Sequence, residues 1–350
     1  MSMQLQSGVR GAARIDVAHD GLPKIVSLFS GAGGLDLGFT KAGYEVVLAV
    51  DSDQWAIETH RQAFPHACNL QADLIKLGAK GLLDKVRPLL TPGERIGVIG
   101  GPPCQGFSRS NVTATANDPR NKLPMVYLKI VEALQAEYQV EFLIFENVLG
   151  IRDRKHENTF TEILRRLRKL GLHPDVDVYD AFDFGVPQHR QRVIIAAFAS
   201  DEARQKFVPI RQITGKQTVS QAIGRLPEPS YFSRGMTPNR FHPNHWTMQP
   251  RSHRFSNHDE RQSDGRSFRR LKEDEPSPTV AYGHREIHVH PSGRRRLSIL
   301  EAMLLQGFTR KFVLYGPFSS QVQQVSNAVP PPFAFALAQA VACSLGAAEE

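Results

Sequence analysis

Cysteine is sparse in this 350-residue chain, and its three occurrences, at 68, 104 and 343, lie in unlike settings. Cys104 sits in Gly100-Gly101-Pro102-Pro103-Cys104-Gln105-Gly106-Phe107-Ser108, directly after the strand-like run Ile96–Gly100. Two prolines stiffen the backbone ahead of the thiol, and the glycines leave room for another molecule to approach it. A free cysteine ordinarily packs as a small hydrophobe. That role is expected of Cys68 and of Cys343, the latter in an Ala-rich run. A stiffened loop is a poor place to bury a core residue, so Cys104 is the candidate nucleophile. It must act as thiolate, which a nearby cation favours. Arg190 and Arg192, in Gln188-His189-Arg190-Gln191-Arg192, are the candidates for that charge. Glu146 stands just after the apolar run Phe142–Phe145, at a strand end. Burial there is the expected way for its carboxyl to keep a proton. Its alternative role is an ion pair with one of the two arginines.

A second group suits a cofactor. In Ile25-Val26-Ser27-Leu28-Phe29-Ser30-Gly31-Ala32-Gly33-Gly34-Leu35 a strand-like run ends in a glycine-rich turn that opens a helix. Such a turn brings backbone close to a ligand at the helix N-terminus. Asp51 ends the next strand-like run, where an acid reaches ribose hydroxyls. Asp36 stands where a dinucleotide-binding turn would have its third glycine, and a carboxylate there repels a pyrophosphate. A cofactor without phosphates, such as S-adenosylmethionine, tolerates it. Asp73, in Gln71-Ala72-Asp73-Leu74, either reads an adenine amino group or is a solvated strand-end acid. A nicotinamide-dependent oxidoreductase would explain the glycine turn and Asp51. It would leave Cys104, Glu146 and the Gln-x-Arg-x-Arg run without a task.

These groups need a scaffold that gathers strand ends. Strands are predicted at Ile25–Phe29, Glu45–Val50, Ile96–Gly100, Phe142–Phe145, Val176–Tyr179 and Val193–Phe198, with helices near 34–43, 53–63, 123–137 and 157–170. That alternation predicts an α/β fold, a doubly wound Rossmann-like parallel sheet with helices on both faces. Beyond 200 the periodicity fades into a stretch rich in Pro, Arg, His, Ser and Asn. It returns as helices at Leu297–Gln306 and Pro332–Leu345, the second docking on the first domain. The expected organisation is a tail at 1–22, a catalytic and cofactor-binding domain at 23–200 plus 322–350, and a smaller loop-rich target-recognition domain at 201–321.

Charge locates a partner. Residues 201–296 hold 18 Lys plus Arg against 10 Asp plus Glu, so the entire net charge of +8 resides there and the remainder is neutral. A localised surplus of this kind suits a polyanion. Seven of the thirteen histidines fall between 242 and 290, but irregularly and without cysteine, so no metal is expected. No apolar run reaches the ~18 residues of a membrane span, and the first twenty residues lack a signal-like stretch. With so few cysteines, a reducing, cytoplasmic setting is expected.

Taken together, Gly101-Pro102-Pro103-Cys104-Gln105 and Phe29-Ser30-Gly31-Ala32-Gly33-Gly34 resemble the DNA cytosine-5 methyltransferase family, in particular bacterial type II modification methylases. Later blocks agree in order: Phe145-Glu146-Asn147-Val148, Gln188-His189-Arg190-Gln191-Arg192, Arg296 through Phe308, and Gln324-Val325-Ser326-Asn327-Ala328-Val329. The resemblance runs from about 23 to 345. It implies methyl transfer from S-adenosylmethionine to carbon 5 of cytosine in a specific double-stranded DNA sequence. Cys104 adds to carbon 6 of the flipped-out base, and Glu146 serves ring nitrogen 3. It implies cofactor contacts from Phe29, Ser30, Gly31, Gly33, Gly34, Leu35, Asp51, Ser52, Asp73, Leu74, Pro102, Asn327 and Val329. DNA contacts fall to Gln105 and Ser108, and in the basic module to Arg251, Arg254, Arg269, Arg270, Thr279 and Tyr282. A monomer is expected, and whether a cognate restriction endonuclease accompanies it is left open. Transfer RNA is the rival substrate, against which the long basic insert argues. Three positions depart from the family pattern: Thr309 for proline, Ser326 for glycine, and Ser52 for the aromatic that would stack on adenine.

Overall fold

The computed structural model describes residues 21–102, 122–212, 217–233, 237–252, 255, 268–279 and 288–346. The first half alternates strand and helix: β1 (Lys24–Leu28), α1 (Gly34–Lys41), β2 (Val46–Asp51), α2 (Gln54–Ala63), β3 (Cys68–Gln71), α3 (Leu74–Val86), β4 (Arg95–Gly100), α4 (Leu123–Gln135) and β5 (Gln139–Asn147). Then follow α5 (Glu157–Lys169), β6 (His173–Asp180), β7 (Gln188–His189), β8 (Gln191–Phe198) and α6 (Asp201–Lys206). Seven strands form one sheet in the order β3-β2-β1-β4-β5-β8-β6. β1 to β5 run parallel, as their continuous apolar character predicts.

The expectation of a wholly parallel sheet needs correcting at one edge. β8 lies antiparallel between β5 and β6. The cause is the connection: β6 leads to β8 through a short turn and β7, which cannot make the long crossover a parallel neighbour requires. Of the helices of ten or more residues, α3 and α9 (Phe318–Asn327) also escaped the sequence reading. α3 is interrupted by Gly78 at φ 65°, and the expected boundary at 322 cuts α9 in two.

One sheet face packs Val26, Leu28, Val98, Leu143 and Phe145 against α3, α4 and α5. The other packs Ile25, Ile99, Phe142 and Ile144 against α1 and α10 (Pro331–Ser344). α10 runs back from the far end of the chain to lie along α1, and α6 packs beside it. Cys68 and Cys343 do not belong to this packing; both are exposed. β3 is an edge strand, and position 343 falls off the stripe of α10 formed by Phe333, Leu337, Ala340, Val341 and Ser344.

Beyond α6 the described segments are short: α7 (Val219–Ile223), β9 (Ser230–Tyr231), β10 (Trp246–Thr247), β11 (Arg269–Arg270), β12 (Ser277–Pro278), β13 (His288–Val289) and α8 (Ile299–Leu305). They surround a third core of Val219, Ile223, Leu271, Leu297, Met303 and Phe308, which also takes in Ala32 of the glycine-rich turn. Its polar centre is an ion pair. Both oxygens of Glu301, which is 0% exposed, accept from Arg295 at 2.8 Å. Glu301 also accepts from the Ser298 amide at 2.6 Å, closing the N-terminal cap of α8. No helix among the described residues is long and apolar enough to cross a membrane.

A buried pair that loses one partner leaves an uncompensated charge, at a cost of about 3–5 kcal/mol. Arg295→Met should therefore lower the free energy of urea unfolding by about that much. The double variant Arg295→Met/Glu301→Gln should recover most of it, because glutamine still caps α8. Equal losses in the single and double variants would contradict this account.

Candidate active site

In an open α/β sheet, ligands bind outside the carboxyl ends of the strands where the strand order reverses. Here that point lies between β1 and β4: the chain goes from β1 outward to β2 and β3, then returns to β4 on the other side. The glycine-rich turn leaves β1 and the Cys104 loop leaves β4 at this crevice.

The turn after β1 is conformationally unusual. Phe29 adopts φ 55°, a left-handed value that non-glycine residues rarely take, followed by Gly31 at 55° and Gly33 at 90°. Asp51 fixes it. Its Oδ2 accepts from the Gly31 amide and its Oδ1 from the Asp53 amide, each at 2.9 Å. Burial pushes the Asp51 carboxyl up, and those two amides oppose the shift. An ionised carboxylate has about four acceptor sites, so the pair leaves capacity for ribose hydroxyls. Ser30 Oγ is buried without a hydrogen-bond partner among the described residues. Nothing lies within 4 Å of the place a side chain would occupy at Gly31. Together these features fit a ribose-bearing cofactor.

The other expected cofactor residues are scattered in role. Asp73 caps α3, accepting from the Ile75 amide at 2.9 Å through one oxygen and leaving the other. Leu35 and Leu74 are 5% and 2% exposed and belong to the cores; Ser52 and Asn327 are exposed. Gly34 meets the carbonyl of Val329, so its missing side chain admits the returning segment. Asp36 is fully buried, 3.3 Å from His60 Nε2, which explains an acid on α1 without any ligand.

The end of β5 gathers the expected catalytic groups. Glu146 Oε1 forms an ion pair with Arg192 Nε at 2.7 Å, both side chains largely buried. This geometry realises the ion-pair role offered for Glu146 at the outset. Glu146 Oε2 would stand 2.6 Å from a Cβ on Gly101, so a side chain there would displace the carboxylate. Asn147 Nδ2 donates to the Pro102 carbonyl at 3.4 Å. Cys104, Gln105 and Ser108 lie outside the described residues, but the chain toward them starts against Glu146. Arg190 serves elsewhere. Fully buried, it donates from Nη2 to the Ser326 carbonyl at 2.7 Å. Burial first, then Arg192, push it below the ordinary guanidinium value.

The basic module meets this site directly. β12 pairs with β7, and Thr279 Oγ1 donates to the His189 carbonyl at 2.7 Å. His189, between Gln188 and Arg190, is exposed, and its ring contacts Asp180 Oδ2 at 3.0 Å. Arg269 and Arg270 form β11, exposed and paired with β13. Arg270 Nε donates to the Pro291 carbonyl. Arg251 is exposed, while Arg254 and Tyr282 lie outside the described residues. Among the described residues no group of three or more His, Cys, Asp or Glu is placed to hold a metal.

A sheet with a glycine-rich turn and a strand-end acid at its switch point defines the class of fold: doubly wound, Rossmann-like α/β. The chain belongs to the C-5 cytosine-specific DNA methylases, whose family model matches residues 23–343. The type II methyltransferase M1.HphI of Haemophilus parahaemolyticus is 33% identical over 329 residues, covering 90% of this chain and 86% of its own. M.MthTI of Methanothermobacter thermautotrophicus is also 33% identical, over 91% of this chain and 96% of its own. The crystal structure of a DNA modification methyltransferase encoded within an E. coli prophage matches with a TM-score of 0.74 at 25% identity, over 93% of this chain and 100% of that one. An Entamoeba histolytica methyltransferase shares the fold, with a TM-score of 0.62 at 17% identity, over 92% of this chain and 98% of that one.

Burial pushes His288, opposite Arg269 across β11 and β13, down to about 4, with Arg269 adding to the shift. The unfolded chain titrates this group near 6.5, so it takes up the proton first. Stability from the neutral ring is present above about pH 6.5 and is lost as pH falls toward 4. Between pH 7 and 4.5 the unfolding free energy of His288→Leu should fall by about 2–3 kcal/mol less than that of the wild type. Parallel pH profiles for the two proteins would contradict this.

Proposed function

We propose that this enzyme methylates carbon 5 of cytosine within a specific duplex DNA sequence, using S-adenosylmethionine and a covalent bond from Cys104 to a flipped-out base. The observation that carries the reading is the convergence of Glu146, Arg192, Gly101 and Pro102 at the end of β5, two residues ahead of Cys104. Carbon 5 of cytosine is a weak nucleophile. Thiolate addition at carbon 6 turns the ring into an enamine that is reactive at carbon 5, dividing one hard step into easier ones. Glu146 holds the proton exchanged at nitrogen 3, and Arg192 fixes the direction of its carboxyl. S-adenosylmethionine, when bound, supplies the electrophilic methyl group. Asp51, Ser30 and the turn to Gly34 hold it, with Asp73 at its base and Asn327 and Val329 from the returning chain.

We place recognition on the basic module, with Arg251, Arg254, Arg269 and Arg270 toward the DNA, Gln105 and Ser108 entering from the catalytic loop, and Thr279 and Tyr282 beside the flipped nucleotide. The boundary expected at 321 falls within α9, which packs on both α2 and α8, and α6 goes with the catalytic domain. The type II methyltransferase names of the relatives support a DNA-modification role.

Calorimetry should give binding of S-adenosylmethionine and none of NAD; the reverse preference would remove this reading. Glu146→Gln should slow turnover on duplex DNA by more than tenfold with DNA affinity near that of the wild type. Transfer RNA in the same assay should accept no methyl groups. Duplex in which the target carries fluorine at carbon 5 tests the nucleophile. Addition and methylation can proceed, but the elimination must remove a proton from carbon 5, and fluorine cannot leave as a cation. The sulfur–carbon bond should therefore survive a denaturing gel with wild type, Cys68→Ala and Cys343→Ala, and be absent with Cys104→Ala. An adduct that persists in Cys104→Ala would assign the bond to another residue.

A further inference from the structure

Immediately after Glu146 and Asn147 the chain makes two 3-10 turns, Leu149–Arg152 and Arg154–His156, before α5 begins. The turns are anchored. Asn147 Oδ1 accepts from the Val148 amide at 2.8 Å, Ile151 is 0% exposed in the core below, and the Ile151, Asp153 and His156 amides each donate to a carbonyl three residues back. On this fixed stretch Arg152, Arg154 and Lys155 are all exposed. None of the three has an ion-pair partner among the described residues.

Most exposed arginines elsewhere on this domain are paired, Arg168 in the last turn of α5 being an exception among the described residues. Arg61, Arg87, Arg95 and Arg204 all lie within an ion pair, as do Arg165 and Arg166 further along α5. The exposed unpaired cations at 152, 154 and 155 stand at the carboxyl edge of the sheet, within nine residues of Glu146. They lie outside the basic stretch 201–296. Acids here do not cancel them: Asp153 is half-buried and engaged, and Glu157 opens α5, where the helix dipole favours it.

We propose that Arg152, Arg154 and Lys155 form a second DNA-backbone contact, gripping phosphates of the duplex from the catalytic domain while the basic module grips it from the other side. This rests on the DNA-methylating function proposed above. Its chemistry is charge alone: exposed arginine and lysine on a short turn suit phosphate oxygens and carry no sequence information. Two anchors on separate parts of the fold would hold the duplex against the pull of extruding a base.

The test is the salt dependence of binding to a labelled duplex of random sequence. Each phosphate contact contributes about 0.9 to the slope of log affinity against log salt. The variant Arg152→Gln/Arg154→Gln/Lys155→Gln should lower the steepness of that slope by about 2–3, and raise KM for plasmid DNA while leaving S-adenosylmethionine affinity unchanged. The matched variant Arg168→Gln/Lys169→Gln, at the opposite end of α5, should bind like the wild type. A slope equal to that of the wild type in the triple variant, or an equal loss in the matched one, overturns the second contact and leaves the methyltransferase reading intact. Failure of the wild type to bind or methylate duplex DNA at all would overturn both.

Discussion

Much of the assembly depends on where the carbonyl groups at the end of α9 go. A helix leaves its last carbonyls without internal partners, and here they are claimed by distant parts of the chain. The Ser326 carbonyl accepts from Arg190, that of Ala328 accepts from Gln306 at 2.6 Å, and that of Val329 lies on Gly34. Through these three oxygens the link between β7 and β8, the end of helix α8 and the glycine-rich turn are brought to one place. α10 can then lie along α1 and complete the second core.

The same economy appears in the Gln-x-Arg-x-Arg run. Gln188 and Arg190 are wholly buried and turn toward α8 and α9, while Arg192 turns to Glu146. These alternate residues run from β7 through Arg190 into β8 and join the seam at α8 and α9 to the end of β5. His189, between them, points outward. A run that sequence reading treats as a source of positive charge is, for the most part, a set of hydrogen-bond donors aimed at backbone.

Much of this was legible in the residues. The short β-branched runs gave strands within a few residues of their observed bounds, because central parallel strands are buried on both faces and leave little else for their sequence to encode. Asp51 was legible as a strand-end acid beside the glycine-rich turn, expected there for ribose hydroxyls; its bond from the Gly31 amide was not foreseen. What escaped was decided by tertiary contact. Nothing local distinguishes the antiparallel β8 from its parallel neighbours. The helix α9 has a weak apolar stripe because Thr59, Asn244 and Tyr315 satisfy its buried glutamines. Cys68 and Cys343 were expected inside from residue type, but an edge strand and the off-stripe face of α10 left them outside. Asp36 looked like a filter against phosphates, yet it faces His60 in the interior.

The return of the chain through α9 and α10 has a further consequence for how the protein can be divided. The basic module separates a front portion, which holds the sheet, from a rear portion, which holds the helices that cover it. Neither portion closes a core alone: Phe39, Phe142 and Phe184 would stay uncovered in one, and Phe333, Leu337 and Val341 in the other. The matching surfaces are broad, apolar and keyed by two carbonyl groups, those of Ser326 and Val329. A chain severed within the module would thus yield two pieces with a strong reason to reassociate with each other, making methylation a natural readout of fragment complementation in this fold.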